Sequence, residues 1–335
     1  MTVKKTSALL VCLFAIGACI CGALFYEYLH RPLNPHAGTV TVHIPRGANF
    51  SRISDILEKA KLVDNRRTFY VLARLKDVSH QIKAGEYELT GSMTPLELLE
   101  KLKAGSVKEY RVSIPEGFTM CQIADRLAAH GVADGKVFLD HAQDEKLLSG
   151  LDIPAKTAEG YLFPDTYVIN KSMNEVEILR YMVGRFKKEI TPEVRNRARE
   201  LGFSLHEILT LASIIEKESA LEEEKPLIAA VFHNRMKRGM RLQSDPTVIY
   251  GMKDFDGNIT KGDLKRSTPY NTYRIKGLPP GPICNPGALS IGAALYPSEV
   301  KYLYFVSKND GSHQFSSSLS NHAKAVIKYQ IKRQK

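Results

Sequence analysis

Apolar and polar positions change period several times along this chain, and each change predicts an element. From Thr6 to Tyr26 the run TSALLVCLFAIGACICGALFY holds no charged residue. At about 1.5 Å per residue it is long enough for a bilayer core of roughly 30 Å, so the pattern predicts a membrane-spanning helix over 6–26. Val42 and Ile44 alternate with polar neighbours as in a half-buried strand, and Ile53, Ile56, Leu57 and Ala60 then recur at helical spacing. Ile123, Leu127 and Ala128 repeat that spacing further on. In FSLHEILTLASIIEKESALEEEKPLIAAVFHNRMKRGM, Leu205, Ile208, Leu209, Ala212 and Ile215 mark one helix, and Ile228, Val231 and Phe232 mark a second that ends near Gly239. Glu222 to Glu224 and Pro226 break the pattern between them, and the acidic run suits the first turn of the second helix. Strands and helices in mixed order predict an α+β fold.

Sliding the chain over itself reveals a repeat. VHIPRGANFSRISDILEKAKLVD (Val42 to Asp64) aligns with VSIPEGFTMCQIADRLAAHGVAD (Val112 to Asp134), matching Ile44/Ile114, Pro45/Pro115, Gly47/Gly117, Ile53/Ile123, Asp55/Asp125 and Leu57/Leu127. After a variable middle, Tyr87/Tyr167, Ser92/Ser172, Met93/Met173, Glu97/Glu177 and Leu99/Leu179 match as well. Each copy reads as strand, Pro-Gly turn, amphipathic helix, a second strand and a second helix, with Asp55 and Asp125 on solvated faces. The predicted organisation is a cytoplasmic tail over 1–5, the helix over 6–26, a Pro- and Gly-bearing linker over 31–38, units over 40–105 and 108–187, and a C-terminal domain over 189–335. The first copy resembles LysM modules, which implies two helices backing a short hairpin and binding to GlcNAc-containing polymers. A spacer or scaffold role for both copies is the alternative.

Composition narrows the function. With 335 residues, 44% hydrophobic and 25% charged, the chain is neither mainly disordered nor multi-spanning and is long enough for several domains. The formal net charge of +11 and pI of about 9.3 suit an anionic partner, and 22 basic against 15 acidic residues lie in 189–335. Lys4 and Lys5 before the uncharged run predict a cytoplasmic N-terminus and place everything after Glu27 across the membrane, which excludes cytosolic nucleic acid as a partner. Ala15, Gly17 and Ala18 before Cys19 faintly match a lipoprotein processing site, but the apolar run continues to Phe25 and favours an uncleaved anchor. Cys12, Cys19 and Cys21 lie in that run, and Cys121 and Cys284 stand far apart, so buried thiols are expected rather than a disulfide or zinc site. His313 and His322 are unpaired in sequence and predict no metal site.

Two carboxylates follow the most apolar helix. Glu216 and Glu218 lie about 200° apart around it, so both cannot face one cleft. A carboxyl packed beside apolar side chains has its charged form desolvated, which suits a general acid at neutral pH. Two surface glutamates at a helix end are the plainer reading.

The strings EKESA, FHNRM, LQSDPTVIYG, STPYNTYRIKGLPPGPICNPG and YLYFVSKNDGSHQFS decide between them. In this order behind an N-terminal span, they closely resemble the YceG-like family of membrane-anchored endolytic murein transglycosylases. The resemblance runs from anchor to C-terminus, strongest over Leu211 to Pro297. It implies an enzyme of the inner membrane with its catalytic domain on the periplasmic side, needing no cofactor or metal. Its substrate would be the β-1,4 bond between MurNAc and GlcNAc within peptidoglycan strands, cut to leave 1,6-anhydro-MurNAc ends, with termination of nascent strands as the expected role. Peptidoglycan synthases are the candidate protein partners.

The resemblance also implies that the catalytic acid lies in EKES, at Glu218, with Glu216 the second choice. Gln243, Asp245, Thr247, Tyr270, Asn271, Tyr273 and Asn285 are the expected substrate-binding residues. Asp245 could instead cap the helix that starts at Pro246, and Asn234 and Arg235 are expected to brace the catalytic helix. Two other classes stand against the enzyme: a membrane-anchored peptidoglycan-binding protein, and a scaffold of the cell-wall synthesis machinery.

Overall fold

The computed structural model describes residues 2–78, 81–219, 221–252 and 255–331. They fall into two units, one from Met1–Tyr110 with Asn170–Met173 and the other from Arg111–Ile169 with Asn174–Lys335.

The first unit begins with helix α1 (Thr2–His30). Over Val11–His30 it is long and apolar enough to cross a membrane, and Phe14 and Leu24 remain 81% and 62% exposed on it. Phe25 and Leu29 near its end pack on the unit's core. That core lies beneath an antiparallel pair, β1 (Thr39–Ile44) and β2 (Gly85–Thr90), with Val42 opposite Tyr87. Three capped helices complete it: α2 (Phe50–Lys59), α3 (Arg66–Leu75) and α4 (Pro95–Lys103). The alternation read from the sequence is the burial pattern of these strands.

In the second unit β3 (Tyr110–Ser113) pairs with β4 (Thr166–Ile169), and α5 (Met120–Ala129), α6 (Gly135–His141) and α7 (Glu145–Gly150) lie between them in sequence. α8 (Glu175–Glu189) follows. Gly47 and Gly117 have φ of +70° and +77°, open to glycine at little cost. Ile53 and Leu57 are buried, as are Ile123 and Leu127. The hydroxyls of Tyr87 and Tyr167 donate to the carbonyls of Lys83 and Phe163, four residues back in each case. Glu97 and Glu177 close capping boxes with Thr94 and Asn174.

The boundary expected near residue 188 does not separate two units. Residues 111–169 and 189–335 share one, because side chains of the C-terminal segment bond directly to backbone near 117 and 160, as described below. This segment forms α9 (Pro192–Glu200), α10 (Leu205–Glu218), α11 (Lys225–Lys237), α12 (Asp245–Tyr250), α13 (Ala288–Leu295), the antiparallel pair β5 (Tyr304–Ser307) and β6 (His313–Ser316), and α14 (Leu319–Val326). Ser204 and Glu207 cap α10 reciprocally, and every residue from Ile208 to Ile215 is buried. A helix covered all round is a core helix, and α9, α11, α12 and α13 pack on it. The acidic run Glu222–Glu224 makes a single 3-10 turn into α11. Cys284 is buried as expected, whereas Cys121 is exposed, because it lies on the outer face of α5; both are free thiols.

Candidate active site

The buried helix α10 ends at Glu218, where Ser219 turns out of helical geometry at φ −130° and ψ 129°. The carboxyl of Glu218 is therefore carried on the rigid core but leaves it at the last residue, half-buried. Its Oε1 accepts the Ser244 hydroxyl at 2.5 Å. Burial pushes its pKa up to about 7, the donation from Ser244 pulls it down, the Asp245 charge adds to the rise, and the Arg235 guanidinium opposes it. A carboxyl that titrates near neutrality can give up a proton and take one back at the same pH.

Hydrogen bonds on both sides set Ser244 in place. Its backbone N–H donates to Thr272 Oγ1 at 3.0 Å, and its carbonyl accepts the Thr247 hydroxyl at 2.6 Å. The preceding Gln243 holds a φ of +51°, an uncommon conformation for a side chain with a Cβ. Arg235, buried, donates from Nη1 to Leu242 O at 2.6 Å and from Nε to Leu303 O at 2.7 Å. Asn234 donates to the carbonyls of Val300 and Tyr302. These two residues thus fix the flanking loops rather than the catalytic helix, contrary to expectation, because both reach outward from α11. Asp245 is the first residue of α12, and Ser244 holds the cap position. Its carboxylate accepts the Tyr273 hydroxyl at 2.6 Å instead of capping the helix.

The other glutamate has a different environment. Glu216 accepts Lys225 Nζ at 3.1 Å and the Gly287 N–H at 3.0 Å, with both side chains of the ion pair under 10% exposed, at 9% and 5%. Lys217 donates to Gly117 O at 3.1 Å. The residues just before Glu218 therefore tie the end of α10 to two loops, and Glu216 is occupied as an internal ion pair.

Residues 42–328 match the model of the YceG-like family. The chain belongs to that family. It is 33% identical over 326 residues to an endolytic murein transglycosylase of Bacillus subtilis, spanning 92% of this chain and 90% of that one. It is 32% identical over 347 residues to one of Streptococcus pneumoniae, of which it covers 62%. A crystal structure of a YceG-like protein from Listeria monocytogenes superposes with a TM-score of 0.60 at 35% identity, covering 86% of this chain and 99% of that one.

In this YceG-like chain the residues expected to bind substrate divide into two sets. Gln243 and Asp245 are exposed near Glu218, and Tyr270 and Tyr273 are half-buried. Thr247, Asn271 and Asn285 are fully buried and have their polar atoms engaged by the protein. The Thr247 hydroxyl serves Ser244 O and lies 2.8 Å from Thr272 Oγ1. The Asn271 amide donates to the carbonyls of Asp263, Leu264 and Arg266, and its oxygen accepts Tyr273 N–H. Asn285 Oδ1 accepts the N–H groups of Gly160 and Leu162 at 2.8 and 2.9 Å, and its Nδ2 donates to Phe118 O and Glu159 Oε1, both at 2.9 Å. These three hold loops together.

Glu159 escaped the sequence reading. It is 2% exposed, and its carboxyl accepts Met120 N–H at 3.0 Å, Asn285 Nδ2 at 2.9 Å and the Tyr250 hydroxyl at 3.2 Å. Burial pushes its pKa up to about 8 against these donors. The signal available was a lone acid among small and apolar neighbours in AEGYLF. A folded-state pKa raised above the unfolded value means that only the unfolded chain loses this proton between about 4.5 and 8. Stability is therefore lost as pH rises through that window. Glu159→Gln keeps an acceptor for Met120 and Asn285 without the charge. Its melting temperature should match wild type near pH 4.5 and exceed it at pH 8. Equal temperatures at both pH values would contradict the assignment.

Proposed function

We propose that this YceG-like protein is an endolytic peptidoglycan transglycosylase that cuts the β-1,4 bond between MurNAc and GlcNAc with Glu218 as its acid and base. The observation that carries the reading is one carboxyl poised near neutral pH at the end of a buried core helix, beside Asp245 and the Tyr273 that binds it. The relatives named endolytic murein transglycosylases support the same activity.

The chemistry follows from a single acid. Glu218 gives its proton to the glycosidic oxygen as the bond to the anomeric carbon breaks. The six-position hydroxyl of the same MurNAc then attacks that carbon, and its proton returns to the Glu218 carboxylate. The product end is 1,6-anhydro-MurNAc, and water takes no part. Hydrolases that use water need a second carboxylate as nucleophile or base. An attacking group already tethered to the sugar brings its own proximity advantage. The half-buried rings of Tyr270 and Tyr273 offer apolar faces to sugar rings, and Gln243 offers an exposed amide.

The anchor and first unit fit this substrate. Lys4 and Lys5 before the uncharged run support a cytoplasmic N-terminus, with the rest of the chain on the periplasmic side of the inner membrane. A reporter fused after Lys335 should be active only outside the cytoplasm, and cytoplasmic activity would reverse the topology. The strand–turn–helix order of 40–105 supports a LysM-like fold that holds glycan strands, with 108–187 as its second copy. Cutting next to the membrane would end strands as synthases extend them, which makes those synthases the partners in view. Digestion of linear strands by the full-length protein should give internal fragments of mixed length from the start. Release of small units from one end only would contradict an endolytic cut.

A further inference from the structure

Among the described residues, Ser244 is the one side chain hydrogen-bonded to the Glu218 carboxyl. Its own placement is unusually constrained for a serine at a helix start. It is 1% exposed, and it makes no side-chain cap to α12 even though it holds the cap position. A cap serine ordinarily turns its hydroxyl onto the helix's free N–H groups. Here that hydroxyl is given to Glu218 instead. Two buried threonines clamp the main chain on either side: Thr272 Oγ1 receives the Ser244 N–H, and Thr247 Oγ1 donates to its carbonyl. Gln243 sits in left-handed backbone immediately before it. Two buried hydroxyls, a forgone cap and a strained neighbour converge on one outcome, the direction of the Ser244 hydroxyl.

We propose that Ser244 is a positioning residue that orients Glu218 and stabilises it as it loses its proton, an inference that rests on Glu218 being the acid. While Glu218 is protonated, Oε1 is occupied as acceptor, so the acid proton stands on Oε2, the oxygen free to meet the glycosidic bond. As that proton leaves, negative charge grows on the carboxyl, and a donor to a carboxylate is held more strongly than a donor to a neutral acid. The bond is therefore stronger in the transition state than in the ground state, and such a bond raises kcat rather than lowering KM. The other groups acting on Glu218 are Asp245 from α12, Arg235 from α11 and Tyr273, which binds Asp245. Removing the Ser244 donation leaves burial and Asp245 opposed only by Arg235, so the Glu218 pKa moves up.

The test uses the full-length protein with glycan strands. Ser244→Ala should lower kcat by about ten- to a hundredfold with little change in KM. The alkaline limb of its kcat/KM profile should move to higher pH. Ser244→Thr, which keeps the hydroxyl, should restore both values. Ser244→Cys, a weaker donor of similar shape, should shift the limb in the same direction as alanine and serves if the alanine variant does not fold. A wild-type kcat and limb in Ser244→Ala would overturn the inference, as would lost activity with an unmoved limb and no rescue by threonine. Glu218→Gln is measured alongside. Full activity there overturns the Glu218 reading and this inference together, whereas loss there with a wild-type Ser244→Ala profile overturns only the role of Ser244.

Discussion

Glu218→Gln should reduce strand cleavage by about 10²–10⁴-fold, roughly 3–5 kcal/mol of barrier, with almost no loss of thermal stability. The amide keeps an oxygen to accept the Ser244 hydroxyl and has nearly the shape of the acid, but it has no proton to give the leaving oxygen. Stability should hold because the acid is desolvated, and a neutral isostere removes the cost of its charged form. Activity of the wild type should fall as pH rises through about 7, where Glu218 ionises. Glu216→Gln is the matching control. It weakens the Lys225 ion pair without touching the reacting carboxyl, and most activity should remain. Assays of strand cleavage beside thermal melts separate the two. Full activity in Glu218→Gln with loss in Glu216→Gln would move the acid by two positions.

Asn285→Ala should act on stability instead. The substitution strands the N–H groups of Gly160 and Leu162 and removes one donor to the buried Glu159 carboxyl, while Phe118 O keeps the backbone N–H of residue 285. Unmet buried polar groups each cost about 1–3 kcal/mol, so a total near 3–5 kcal/mol is expected. For a unit of this size that is a fall of roughly 6–20 °C in melting temperature. Relaxation of the loop is restricted because Gly160 is held at φ +86°, with Pro282 only 2.4 Å from where a Cβ would stand. A variant that melts like wild type but binds strands poorly would return Asn285 to the substrate groove.

Much of the fold could be read from residue pattern, and the reasons are local. The uncharged run, the alternation at Val42 and Ile44, and the helical spacing from Leu205 to Ile215 each obey one period over a sufficient length. The bonds that unite 111–169 with the C-terminal segment, across the boundary expected near 188, join residues 100 or more apart, such as Lys217 to Gly117 and Asn285 to Gly160. No local period reports them. The candidate acid was legible through the strings around it. Its surroundings were less so, since an asparagine in a Gly- and Pro-rich loop reads the same whether its amide faces a sugar or a carbonyl. Asn271 and Asn285 face carbonyls. Ser244 and Glu159 were missed because a lone serine before Asp-Pro and a lone glutamate before Gly-Tyr are common surface residues. Only the contacts to Glu218 and to Met120, Asn285 and Tyr250 set them apart.

In the mechanism proposed above, one carboxyl cuts the strand and the substrate's own hydroxyl is the attacking group. Asp245, which acts electrostatically on Glu218 and accepts Tyr273, is the residue through which a two-carboxylate hydrolase could operate instead. Digesting purified glycan strands with the full-length protein in water enriched in ¹⁸O and weighing the product ends by mass spectrometry distinguishes the two. The account predicts 1,6-anhydro-MurNAc ends carrying no label, and reducing ends labelled with ¹⁸O would contradict it.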